Sequence, residues 1–156
     1  MKPSRSLAEL DHLVIAAATL TDGIDWVASM TGTAPVMGGK HDAMGTHNAL
    51  LRLGARSYLE VIAIDPEATA PARPRWFGLD NAVLRSELRE RPRLVHWVAR
   101  TAAIEGTVVK LQANLGTVQM MARGDYRWRI TIRDDGALTG GGLIPSLIQW
   151  DVPMHP

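Results

Sequence analysis

One order of patterns occurs twice along the chain, and this repetition limits the fold more than any compositional figure. Residues 10–17, LDHLVIAA, are a short apolar, β-branched run of strand type. Residues 21–32 then place Ile24, Val27 and Ala28 at helical spacing before Gly32 stops the helix. A weak extended segment at 34–37 and a hairpin of 47–54 and 57–65, joined through Ala55 and Arg56, complete a strand, a helix and three strands. A connector at 66–92 follows, marked by Pro66, Pro71 and Pro74 and carrying a short helix that Asp80 is expected to cap. The order then returns: a strand at 93–99, a helical stripe of Ile104, Val108, Leu111 and Leu115 ended by Gly116, and a strand at 117–122. A Gly124-Asp125 turn, the alternating strand 126–133 and a last strand within 143–152 finish it. Two βαβββ modules, about 8–65 and 93–152, predict an α+β protein of eight strands forming a single domain over 1–156.

The rest of the composition removes alternatives. A chain of 156 residues that is 46% apolar can bury about 70% of its unfolded surface without crosslinks. It contains no cysteine, which excludes disulfide scaffolds, thiol redox chemistry and cysteine nucleophiles. Any metal would have to be held by His, Asp, Glu or amide oxygens. A net charge of +1, from 17 basic and 16 acidic residues, argues against a nucleic-acid surface, and the arginines between 72 and 93 read as a solvated helix and linker. No run reaches the roughly 18 apolar residues of a membrane span. Lys2 and Arg5 ahead of LVIAAATL are signal-like, but Glu9, Asp11 and His12 interrupt the apolar stretch. The expected location is the cytoplasm.

Two polar residues stand in the middle of apolar strands. His12 shares a strand face with Leu10, Val14 and Ala16, and Glu60 shares one with Tyr58, Ile62 and Ile64. An ionised Glu60 there costs several kcal/mol unless it is paired or bound. Aligning the opening strands sets His12 against His96, and aligning 58–61 with 147–150 sets Glu60 against Gln149. His47 and Asn48, at a loop-to-strand junction, are candidate substrate contacts. His41 and His155 are expected in solvent, Trp76 and Phe77 packed on the sheet, and Trp26, Met30, Met120 and Met121 in the core or an interface.

The doubled plan, with a histidine on the first strand and a carboxylate on the fourth, resembles the vicinal oxygen chelate superfamily. Within it, LDHLVIAA together with GGKHDAMGTHNALLRLGARSYLEVIAIDPEA is similar to the glyoxalase-like domain proteins. The resemblance implies a curved mixed sheet around a central cleft with helices outside. It implies metal-ligand roles for His12, Glu60 and His96, to which the repeat alignment adds Gln149, and Glu60 is the candidate catalytic group. The implied cofactor is a divalent ion, Zn, Mn, Fe, Co or Ni, that chelates two substrate oxygens. The implied activity is that of a small-molecule enzyme of glyoxalase or dioxygenase type, a lyase, isomerase or dioxygenase. The alternative is a metal-free protein that sequesters a small ligand, as bleomycin-resistance members do. Glyoxalase I carries a carboxylate where Gln149 is aligned, and an amide can ligate but cannot act as a base. The chain ends six residues after Trp150, where the resembling proteins continue; either a C-terminal extension is missing or this member is shorter, and a more open cleft is expected. Exposed sheet edges predict a homodimer.

Overall fold

Eight strands hydrogen-bond into one sheet in the computed structural model, which describes residues 7–153, 155 and 156. Lys2 and Arg5 lie outside the described residues. In the first module β1 (Glu9–Ala16) runs parallel to β4 (Tyr58–Ile64), which pairs antiparallel with β3 (Thr46–Arg52), and β3 pairs with β2 (Val36–His41). The second module repeats this: β5 (Arg93–Arg100) lies parallel to β8 (Ser146–Trp150), followed by β7 (Tyr126–Ile132) and β6 (Thr117–Arg123). β1 and β5 pair antiparallel at the centre, giving the order β2-β3-β4-β1-β5-β8-β7-β6. The edge strands β2 and β6 touch, so the sheet curls into a half-barrel.

The first and third helices cover the convex side, while the second turns Leu84 and Leu88 toward the concave core. In α1 (Leu20–Thr31) the Thr19 hydroxyl accepts from the Asp22 N–H, and Gly32 at φ 74° ends the helix. Leu20 and Val27 pack on Ile15, Ala49 and Val61. α3 (Ile104–Leu111) stops earlier than its apolar stripe, at Gln112 with φ 49°, although Leu115 still packs beside Ile104 and Leu147. α2 (Ala82–Glu90) begins at Asn81, whose side chain accepts from the N–H groups of Val83 and Leu84. Asp80, expected as the cap, instead accepts from Arg75. The extended segment expected at 34–37 continues through the glycines to His41. Met30 and Met120, expected in the core or an interface, are 68% and 85% exposed and so lie outside the core.

The concave side has its own core. Val14, Ile62, Val98, Ile130 and Ile148 face inward there, and Trp76, Phe77 and Leu79 of the connector sink onto them. Trp76 and Phe77 stack at 5.2 Å. Phe77 takes φ 57°, a left-handed backbone that a bulky residue rarely adopts. Among the described residues, no helix is long and apolar enough to cross a membrane.

Candidate active site in the half-barrel

Pairing of β1 with β5 slips between Leu10 and His12, so Asp11 is a β-bulge. The regular alternation that would set Leu10 beside His12 is broken: Leu10 is 41% exposed, while Asp11 and His12 are both buried. His12 Nδ1 lies 2.7 Å from Asp11 Oδ1, and Asp11 Oδ2 accepts from Trp150 Nε1 at 3.0 Å and His155 Nε2 at 2.9 Å. Burial alone would raise the Asp11 carboxyl; the bonds from His12 and His155 outweigh it and hold it well below the usual carboxylate range. With Nδ1–H given to Asp11, Nε2 of His12 faces Glu60 Oε2 at 3.6 Å. Tyr58 stacks on the imidazole at 4.6 Å.

Alternation in β4 turns Glu60 inward with Ile62, and β3 brings Asn48 beside it. Asn48 Nδ2 donates to Glu60 Oε1 at 2.6 Å, while its Oδ1 accepts from Gly39 N–H at 3.0 Å and Arg123 Nη1 at 2.9 Å. These partners fix the orientation of the amide. The carboxylate therefore keeps Oε2 for chemistry. His41, expected in solvent, is buried: its register opposite Thr46 turns it inward, where Nδ1 meets the Thr46 hydroxyl at 3.2 Å. Burial pushes its pKa down to about 3, aided by the charge of Arg123. His155, also expected in solvent, packs on Tyr58 and Trp150 and bonds Asp11. The open cleft expected from the chain end is instead filled. Trp76, Phe77, Trp128 and Trp150 leave a cavity of about 30 Å³ beside His12, Glu60 and Arg123.

Three of the expected site residues lie apart from this cluster. His96 Nε2 accepts from the Ser146 N–H at 3.0 Å, and burial pushes the ring down to about 4, so it is a neutral acceptor already in use. Gln149 Oε1 accepts from the Ile104 N–H at 2.9 Å and serves the start of α3 on the convex side. The strand pairs explain the misplacement: Val14 opposes Glu60 and Val98 opposes Ser146, so Ser146 occupies the place equivalent to Glu60. His47 falls on the α1 face with Ala49, while its neighbour Asn48 enters the cavity. A larger groove of about 920 Å³ lies near α2 and the start of β5. It contains none of these groups, and its arginines include Arg75, paired with Asp80, and Arg93, paired with Glu87.

A divalent metal needs more than this cluster offers. Among the described residues only His12 Nε2 and Glu60 Oε2 converge, whereas a catalytic zinc site uses about three protein ligands. Among the described residues, no three His, Asp or Glu side chains gather as a metal-binding group. Asn48 turns its amide nitrogen, not its oxygen, to Glu60, and Arg123 already brings a positive charge to the cavity. The arrangement does not fit the four-ligand metal set of His12, Glu60, His96 and Gln149.

Residues 10–156 match the glyoxalase-like domain family. No curated protein sequence matches the chain. Methylmalonyl-CoA epimerase from Mycobacterium tuberculosis is 22% identical, covers 94% of this chain and 90% of its own, and superposes with a TM-score of 0.54. A methylmalonyl-CoA epimerase in complex with methylmalonyl-CoA and NH4+ is 18% identical over 97% of this chain and 100% of its own, with a TM-score of 0.57. A hypothetical protein from Staphylococcus aureus is 16% identical over 94% of this chain, with a TM-score of 0.63; the match spans 59% of that protein. At these identities the likeness is one of fold.

Proposed function

Because the chain belongs to the glyoxalase-like domain family, we propose that its half-barrel is a small-molecule active site for proton transfer at a carbon beside a carbonyl. Glu60 is the base and His12 its acid partner. The observation that carries this reading is the buried series Asp11, His12, Glu60 and Asn48. Asn48 occupies one carboxylate oxygen and leaves the other beside an imidazole whose far nitrogen is already bound. Two groups with their lone pairs and protons aligned in this way can remove a proton and return one. Solved relatives of the same fold include epimerases, and an epimerase changes configuration at carbon. That supports the reaction class; it does not supply the substrate.

The chemistry requires no group beyond the chain's own residues. Glu60 Oε2 takes the proton, the electron pair moves onto the carbonyl oxygen, and a proton returns to carbon either from Glu60 or from His12 Nε2 after Glu60 has passed its proton across to that nitrogen. Asp11, accepting from Nδ1–H, holds the imidazole in one tautomer with Nε2 toward Glu60. The test is hydrogen exchange by NMR in D2O across a panel of 2-oxo acids and acyl thioesters. At least one should exchange its C–H next to the carbonyl, with the rate falling about 10²-fold or more in Glu60→Gln. If no member exchanges but members bind, the half-barrel is a sequestering pocket, the role its aromatic lining would also serve.

A further inference from the structure

Several arginines around the sheet are answered by carboxylates: Arg75 by Asp80, Arg93 by Glu87, Arg129 by Asp151 and Glu105, and Arg133 by Asp135; among the described residues Arg52 and Arg127 have no such partner but are exposed. Arg123 is neither answered by a carboxylate nor exposed. Among the described residues its Nη1 donates to Asn48 Oδ1 at 2.9 Å and lies 3.4 Å from Nε2 of the neutral His41, while its Nε and Nη2 meet no acceptor. Its partners are therefore uncharged, although it lines the same cavity as Glu60. Arg123 is half-buried: its Cζ lies 5.5 Å from the centre of the Tyr126 ring, and its unbonded N–H groups are not sealed in the fold, so water answers them until an anion replaces it. The chain makes room for this placement. A Cβ at Gly39 would come 2.8 Å from Arg123 Cδ, so glycine at the β2 edge lets the stem pass inward.

We propose that Arg123 is the anion-recognition residue of this site and that the substrate is a small carbonyl compound bearing a carboxylate, of the 2-oxo acid type. This naming of the substrate rests on the acid–base reading of Glu60; the anion subsite itself rests on Arg123. Nε and Nη2 form the planar edge that accepts a carboxylate through two parallel hydrogen bonds. With the carboxylate held there, the adjoining carbonyl lies within the field of a fixed cation. As Glu60 removes the proton, the C–H electron pair passes to the carbonyl oxygen, and the guanidinium stabilises the enolate charge that forms. Asn48 bridges the cation and the base, so both keep their places as charge moves between them. A side chain thus supplies the positive charge that a metal ion would bring to such a cleft.

Oxalate is a planar anion shaped like the enolate of a 2-oxo acid, and oxamide is its uncharged counterpart. Each is titrated into the wild-type protein, following the fluorescence of Trp76, Trp128 and Trp150 around the cavity, with calorimetry as a second readout. Oxalate should bind at least tenfold more tightly than oxamide. Arg123→Met should abolish that preference, Arg123→Lys should keep part of it, and Glu60→Gln should leave oxalate binding intact or stronger. Equal affinity for the two probes, no binding of either, or unchanged oxalate affinity in Arg123→Met would overturn the proposal. If Arg123→Met does not fold, the oxalate and oxamide comparison on the wild type still decides. The two readings fail separately: oxalate binding that depends on Arg123 without any C–H exchange removes the role of Glu60 and leaves the anion subsite standing.

Discussion

A carboxylate next in sequence to the histidine it orients needs an irregular backbone, because neighbours in a regular strand point to opposite faces. The bulge at Asp11 supplies it, which is why His12 and Glu60 are legible as polar interruptions of apolar strands while Asp11 is not. His41 and Arg123 are equally hidden in the sequence. Each sits at the end of an edge strand, and only the curl of the sheet brings them together. Replacing Asp11 by Asn leaves the geometry but offers a donor where an acceptor is needed. The exchange rate should fall about 10²-fold or more, and the unpaired buried donors should cost about 1–3 kcal/mol. An unchanged rate in Asp11→Asn would show that His12 needs no such anchor. The buried histidines set the response to acid. Both remain neutral in the fold, and once unfolded each titrates near pH 6.5. The unfolded chain therefore takes up protons first as the pH falls, and each histidine removes about 1.4 kcal/mol of stability per pH unit. The loss runs from about 6.5 down to about 4 for His96 and about 3 for His41. Denaturant midpoints measured from pH 7.5 to 5 should hold above about pH 6.5 and drop below it, and a flat profile would contradict two buried neutral histidines.

Within the elements, parity separates what the sequence reveals from what it hides. The β7 run is read correctly because Trp128, Ile130 and Ile132 are buried at every second place. The last strand defeats the same logic: a repeat aligned on apolar pattern alone puts Gln149 three residues away from the equivalent position, Ser146, and an odd slip reverses the face. Ser146 gives no signal of its own, being small and neutral where its counterpart is a carboxylate. The glycines of β2 read as loop, yet they extend the strand because the site needs their lack of side chains. A Cβ at Gly38 would collide with Asn48 Oδ1. Gly38→Ala should displace that amide from Glu60 and slow exchange at least tenfold. Since Gly38 lies on an exposed edge strand, its melting temperature should move by only a few degrees. Full activity with the alanine in place would show that Asn48 does not tune the base.

At the scale of the molecule, the two modules meet at β1 and β5 and leave β2 and β6 as edges. Val36 and Met37 on one edge and Met120 on the other are 72%, 64% and 85% exposed. Apolar side chains along unpaired strands favour cover by another chain. Light scattering at micromolar concentration should give the mass of a dimer, and a Met120→Glu variant should shift it toward the monomer. A monomer mass in the wild type would rule this out. The connector has a kinetic consequence. A cavity of about 30 Å³ admits about two waters, so an organic ligand reaches Glu60 only after the Trp76 and Phe77 rings withdraw. Their burial keeps them in place, but the left-handed backbone of Phe77 opposes it by about 1–2 kcal/mol. The plug is thus sprung, relaxing as it leaves. In stopped-flow mixing, the observed rate of oxalate association should rise and then level off at a ceiling set by withdrawal, and Phe77→Ala should lift that ceiling. A rate that climbs linearly throughout would mean the passage already stands clear.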